Sequence, residues 1–247
     1  MKQPHILCEP KDISEYVILP GDPGRVLRIA EQMDSYEEIA YNREYRVVKG
    51  MYKDVPITAV STGIGGPSAA IAMEELIACG GKYFIRIGSA GAVNSRIKLG
   101  ELVICSGAVR EDGATKSYVI PEYPAVADVK LTSLIIEICE ELGYTYHYGI
   151  VRSHDTLYTA HGEELREYWN RRNIISSDME TSTILTLAQL KGVKAGSILN
   201  TVAEYKSNIK DSIGDYADKK LTPMEGEKRG ILLALETMVK VHNANSY

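Results

Sequence analysis

The sequence contains no C-x-x-C pair. Its four cysteines, Cys8, Cys79, Cys105 and Cys139, are widely spaced. That removes the usual zinc and dithiol redox motifs and reads as free thiols in a reducing compartment. No stretch approaches the ~18 apolar residues that span a bilayer, and the opening MKQPHILCEP lacks the apolar run of a signal peptide. A cytoplasmic protein is expected. Positive charge is not in excess: 28 Lys and Arg face 33 Asp and Glu, a formal net charge of -5. Neither nucleic acid nor an anionic membrane is therefore expected as a partner, although an anionic small ligand fits if a few arginines converge on one cleft. There is no P-loop, no dinucleotide fingerprint in its proper setting, and no ligand cluster for a catalytic divalent metal. No repeat, low-complexity tract or Pro/Gly/Ser-rich linker interrupts the chain, so one domain over residues 1–247 is expected.

What is there is an ordinary globular balance, 45% hydrophobic and 25% charged. Short β-rich runs alternate with helical patterns. Strands are expected at 16–20, 45–48, 55–61, 83–87, 102–109, near 147–153 and 174–177, and at 195–202. Helices are expected after GDPGR near Val26, from GIGGPS through Ala78 with Pro67 in the first turn, over 129–142, from about Glu180 to Leu190, and over 225–241. Such alternation implies an α/β fold with a mostly parallel central sheet. Ligands in such sheets sit beyond the carboxyl ends of strands. Three glycine-rich segments, GDPGR, STGIGGPS and RIGSAG, read as turns there.

Several residues carry chemistry. Arg25 follows a strand at a helix start, which suits an anion, though a surface arginine is the simpler reading. Arg86 lies inside the apolar run FIRIG, where a charge needs a ligand or a buried carboxylate. Ser89 and the nearby glycines offer hydroxyl and amide donors to the same anion. In SSDMETS, Asp178 and Glu180 stand at a helix start, where acidic residues cap; alternatively a carboxylate there accepts from sugar hydroxyls, with Met179 against the sugar face. His154 and Asp155 are adjacent, and neighbouring strand residues face opposite ways, so they do not form a catalytic pair.

Together the segments PGDPGR at 20–25, NRE at 42–44, STGIGGPS at 61–68, IRIGSAGAV at 85–93, PAVAD at 124–128 and DME at 178–180 resemble the nucleoside phosphorylase family of uridine phosphorylases and hexameric purine nucleoside phosphorylases. The resemblance implies a single-domain, three-layer α/β/α fold with a mixed, mostly parallel sheet. It implies phosphate binding by Gly21, Arg25, Arg43, Arg86 and Ser89, with Arg43 serving the neighbouring subunit. It implies nucleoside binding by His5, which approaches the ribose 5′-hydroxyl across the same interface, and by Ala90, Gly91, Leu157, Tyr158, Asp178, Met179 and Glu180. Glu44, Ile64 and Ser68 match a K+ or Na+ site between subunits, although a surface ion pair explains Glu44 as well. A dimer-built hexamer is implied, with a ribonucleoside and phosphate as substrates and no organic cofactor.

The implied reaction is attack of phosphate on C1′, releasing the base and ribose 1-phosphate. Arg86, Glu180 and Glu204 are the candidate catalytic residues, Glu204 at the leaving base. The sequence also departs from the family. Asp178 replaces a usual glutamate, and Leu157 stands where an aromatic is common. No inserted Gln-x-Arg loop lies between Tyr158 and Asn173. In NTVAEYKSN, Glu204 stands near the purine enzymes' aspartate, while Lys206 or Lys220 takes the place of a helper arginine. STGIGGPS, PAVAD and the cation site lean toward uridine; the short loop and Glu204 lean toward a purine. A nucleosidase and a non-catalytic nucleoside-binding protein stay open as further readings.

Overall fold

The computed structural model describes residues 1–207, 211–212, 214 and 221–245. Its strands are β1 (Tyr16–Pro20), β2 (Ser35–Asn42), β3 (Tyr45–Tyr52), β4 (Val55–Val60), β5 (Tyr83–Ala92), β6 (Leu102–Glu111), β7 (Ala125–Val126), β8 (Tyr146–His154), β9 (Ser176–Asp178) and β10 (Lys194–Ala203). Its helices are α1 (Pro23–Ala30), α2 (Gly66–Ala78), α3 (Ala114–Tyr118), α4 (Val129–Glu141), α5 (Gly162–Asn170), α6 (Thr181–Lys191) and α7 (Leu221–Asn245). Among these described helices none is long and apolar enough to cross a membrane.

The central strands are buried on both faces, and their alternation shows where the two helical layers lie. In β1, Tyr16 and Ile18 join a core built with Val26 and Ile29 of α1, Leu131 and Ile135 of α4, and Ile231 and Leu235 of α7. Val17 and Leu19 point the other way, into a core with Ala69 and Met73 of α2 and Ile184 and Leu187 of α6. This is the period-2 geometry of a strand between two layers, and it makes the expected α/β/α sandwich. The sheet is mixed, as expected, and its parallel share is half. Five strand pairs run parallel (β1–β4, β1–β5, β5–β10, β6–β8, β8–β9). Five run antiparallel (β6–β10, β2–β3, β3–β4, β5–β9, β6–β7).

β5 organises the sheet. Along one edge it pairs with β10 from Tyr83 to Gly91. Along the other it pairs with β1 from Tyr83 to Ile87, and then with β9 at Gly91 and Ala92. The pairs β5–β10–β6–β8–β9–β5 therefore close a ring, and Ala90, Ala92, Val103, Cys105, Val151 and Leu199 pack as a separate small core from its strands. Between β1 and β9, residues Gly88 to Ala90 have no partner strand on that edge. The sheet is open there.

Local chemistry sets the flanking helices. Asp22 caps α1 by accepting the Gly24 N–H at 2.8 Å, and Pro23 occupies its first turn. Gly65, at φ +90°, takes the turn into α2 that an L side chain resists. Asp128 caps α4 through the Leu131 N–H. GDPGR and STGIGGPS are the turns expected of them. RIGSAG is not a turn: the extended backbone of β5 continues through it to Ala92.

α7 lies close over the turn before β6. A Cβ on Gly226 would stand 2.1 Å from Asn200 Oδ1 and 2.6 Å from the Gly100 carbonyl oxygen. Gly226→Ala is expected to cost about 1–3 kcal/mol through overpacking, measured by urea unfolding. Unchanged stability would contradict this close packing.

Candidate active site

Arg86 and Phe84 share a face of β5, so Arg86 points into the layer that holds α6. It is 2% exposed. Its Nε donates to Asp178 Oδ2 at 2.9 Å and its Nη2 to Glu180 Oε2 at 2.6 Å. The buried-carboxylate alternative is therefore realised, and twice over. Nη1 has no hydrogen-bond partner among the described residues. Gly88 makes room for the head group: a Cβ there would lie 2.5 Å from Nη2.

Asp178 holds several partners. Besides Arg86 it accepts from the Thr181 N–H at 3.0 Å and the Thr181 hydroxyl at 2.6 Å, and from the Ser153 hydroxyl at 2.5 Å. It holds Arg86 and the start of α6, with three of these bonds on Oδ2 and one on Oδ1, so Oδ1 keeps an acceptor site. Glu180 is different. Its Oε1 accepts the Gly65 N–H at 2.6 Å, and it borders a cavity together with Met179. Burial, with Asp178 close by, pushes its carboxyl above the ordinary value against the opposing pull of Arg86. Two carboxylates share one guanidinium there, so one of them takes a proton more readily.

Ser89 lies on the other face of β5, toward α1. Arg25 meets it: Nη2 donates to Ser89 Oγ and Nη1 to the Ile87 carbonyl oxygen, both at 2.8 Å. Arg25 Nε is held at 2.8 Å by Glu227 of α7, which also binds Arg28. Arg25 is buried and is no surface arginine. The two arginines thus approach the open stretch of β5 from opposite faces.

A cavity of about 680 Å³ opens at this break. Gly21, Arg25, Arg86, Ser89, Ala90 and Gly91 border it, as do Leu157, Asp178, Met179, Glu180 and Glu204. Glu44, Ile64 and Ser68 also border it. The Ser68 hydroxyl lies 2.8 Å from Glu44 Oε1 and 2.6 Å from the Thr62 carbonyl oxygen. The Glu44 backbone amide and the Ser68 hydroxyl hold the Glu44 carboxyl below its ordinary range, and among the described residues the carboxylate's side-chain partner is the Ser68 hydroxyl. Glu204 also accepts the Leu99 N–H at 3.0 Å.

Other expected residues stand elsewhere. Tyr158 is 73% exposed and does not border the cavity; only Leu157 of that pair faces in. Arg43, at φ +54° in the β2–β3 turn, is exposed and outside it. His5 is also outside, tied by its Nδ1 to Glu75 at 2.6 Å, while Glu75 accepts the Ile6 N–H at 2.9 Å. Lys206 lies over the Tyr205 ring and outside the cavity. Lys220 lies outside the described residues. Arg152, His154 and Arg166 are among the bordering residues that were not anticipated. The alternation that separates His154 from Asp155 also puts Arg152 and His154 on one face of β8, and that was the available signal. Asp155 does turn away, accepting the Gly113 N–H at 2.8 Å.

The model of the phosphorylase superfamily matches residues 15–233. The chain belongs to the phosphorylase superfamily. A curated uridine phosphorylase from Thermococcus kodakarensis is 43% identical over 93% of this chain and 86% of that protein. A guanosine phosphorylase from Halorubrum lacusprofundi is 42% identical over 80% of this chain and 81% of that protein. Among solved structures, a uridine phosphorylase from Vibrio fischeri ES114 superposes with a TM-score of 0.91 at 45% identity, covering 97% of this chain and 98% of that one. The open edge of β5, with an arginine from each face, lies at the wall of this cavity.

The triad makes a direct stability claim. Arg86→Met leaves Asp178 and Glu180 buried without a counter-charge, which is expected to cost about 3–5 kcal/mol, read by urea unfolding at neutral pH. Adding Asp178→Asn and Glu180→Gln should recover part of the loss. A loss below about 1 kcal/mol for the single variant would contradict a buried, coupled triad.

Proposed function

We propose that this chain is a nucleoside phosphorylase, a pentosyltransferase that splits uridine with inorganic phosphate into uracil and ribose 1-phosphate. One observation carries the reading. Two buried arginines, Arg25 and Arg86, meet from opposite sheet faces at the open edge of β5, next to a buried Glu180. The first suits a small oxyanion and the second a pair of sugar hydroxyls. The uridine phosphorylase relatives favour the pyrimidine substrate.

In this reading phosphate sits against Gly21, Ser89, Arg25 and Arg86, with Arg86 Nη1 as a donor still free for it. Fixing the nucleophile beside C1′ removes an entropic cost of several kcal/mol, up to about 7–11. Glu180 accepts from the 2′- and 3′-hydroxyls, and its charge favours the oxocarbenium-like centre. Met179, Ala90 and Gly91 line the sugar's surroundings, Leu157 covers the base, and Glu204 accepts from a base N–H. Arg43 and His5 complete a neighbouring subunit's site within a hexamer of such single-domain chains, which accounts for their distance from the cavity of their own chain. Glu44, Ile64 and Ser68 hold K+ or Na+ at that interface. No organic cofactor takes part, and the enzyme works in the cytoplasm. The second reading, a purine substrate, is favoured by the guanosine phosphorylase relative and by Glu204 at the cavity wall.

Uracil release from uridine should require phosphate, measured by absorbance with and without it, beside inosine and adenosine. Release at the same rate without phosphate would mean a nucleosidase, and no release from any of them a binding protein. Ser89→Ala should raise the KM for phosphate about tenfold, the worth of one hydrogen bond to a charged group. An unchanged KM would remove Ser89 from the phosphate site.

A further inference from the structure

The phosphate and sugar residues use one part of the cavity. The part beyond them has its own cation. Along β5, Gly91 lies two residues past Ser89, about 7 Å on. Gly91 pairs with Ser177, and Ser177 is in register with Arg152 of β8. Arg152 therefore borders the cavity at the end away from Arg25, on the side where a base attached to the sugar would lie.

Arg152 is 8% exposed and is held on one side only. Its Nε bonds to Glu111 Oε2, and Trp169 Nε1 donates to the same oxygen at 3.1 Å. The two terminal nitrogens make no hydrogen bond among the described residues, although they belong to a residue that borders the cavity. A strut of this kind orients a guanidinium without using up its donors. Two residues on, on the same face, His154 is 9% exposed, with Nδ1 unpartnered among the described residues. Burial and the charge of Arg152 hold its pKa below the ordinary histidine value. It is neutral at pH 7, so Arg152 is the lone cation of this pair.

We propose that Arg152 contacts a ring carbonyl of the departing base and stabilises the negative charge that forms on it. This rests on the phosphorylase reading above. As the C1′–N bond breaks, its electron pair passes to the base, a phosphate oxygen forms the new C1′–O bond, and the base anion takes a proton from water after it departs. A 2,4-dioxopyrimidine or a 6-oxopurine spreads that charge onto a carbonyl oxygen, where a fixed guanidinium in a water-poor wall acts most strongly. An amino-substituted base presents N–H donors to the same cation and is disfavoured. The site thus selects bases by their carbonyl edge. Its cation also does work that Glu204, an anion, cannot do.

The test compares Arg152→Gln and Arg152→Lys with wild type on uridine and on 5-fluorouridine, whose base leaves as a more stable anion. Arg152→Gln should lower kcat/KM for uridine about 100-fold, with a clearly smaller loss for 5-fluorouridine and a KM for phosphate within about twofold of wild type. Arg152→Lys should retain an intermediate activity with the same ordering. If Arg152→Gln does not fold, the uridine-to-5-fluorouridine ratio of the lysine variant carries the comparison. Equal losses on both substrates, or a loss that appears only as a raised KM for phosphate, would reduce Arg152 to a strut for Glu111 and overturn the inference while leaving the phosphorylase reading intact. Wild-type protein that releases base from no nucleoside would overturn both.

Discussion

Three charges buried against one another, Arg86, Asp178 and Glu180, govern much of this molecule. Each depends on the others, because stripping a buried charge of its partner costs about 3–5 kcal/mol, a large part of a domain's whole margin of stability. Together they tie three distant parts of the chain. Arg86 comes from the middle of β5, Asp178 ends β9 and caps α6, and Glu180 reaches back to the Gly65 amide before α2. The central sheet, the start of α6 and the turn into α2 are thereby held in one arrangement. The same geometry leaves Arg86 Nη1 without a partner among the described residues, at a side chain that borders the cavity.

That arrangement works because the sheet breaks there. A continuous sheet would separate Arg86 from Arg25, since the two lie on opposite faces. β5 loses β1 after Ile87 and gains β9 only at Gly91, and the interval lets both faces address one cavity. Glycine at 88 is part of the device, because a side chain there would displace the Arg86 head group. On the α1 side, Glu227 plays the matching role, holding Arg25 and Arg28 from the last helix.

The elements that could be read from the sequence are those with their own strong local signal. β1 is a run of five buried residues, α1 and α4 begin with capping aspartates, and α2 carries Pro67 in its first turn. β2 escaped because SYEEIAYN is a polar strand, mostly exposed, that is held by pairing with β3 and not by burial. α5 escaped because none of its residues is buried, and β7 is only two residues long. RIGSAG misled because glycines usually punctuate strands, whereas here they make space within one. Among site residues, Arg86, Ser89 and Glu180 stood out through a charge in an apolar run or a distinctive motif. Asp178 was placed at the helix start, but its hydrogen bonds from Ser153 and Thr181 could not be seen along the chain. Arg152 lay hidden in GIVRSH, where only strand alternation betrays which side it faces. Arg43 and His5 stand outside the cavity of their own chain, and the expectation for both rests on a second subunit.

The central claim is that an oxyanion binds at the open edge of β5, between the two arginines. The direct measurement is a crystal structure grown or soaked with phosphate. The expected result is phosphate density within hydrogen-bond distance of Ser89 Oγ, Arg25 and Arg86 Nη1, with the Arg86–Asp178 and Arg86–Glu180 bonds retained. Phosphate bound elsewhere in the cavity with Arg86 Nη1 still without a partner, or Arg86 released from both carboxylates, would contradict it.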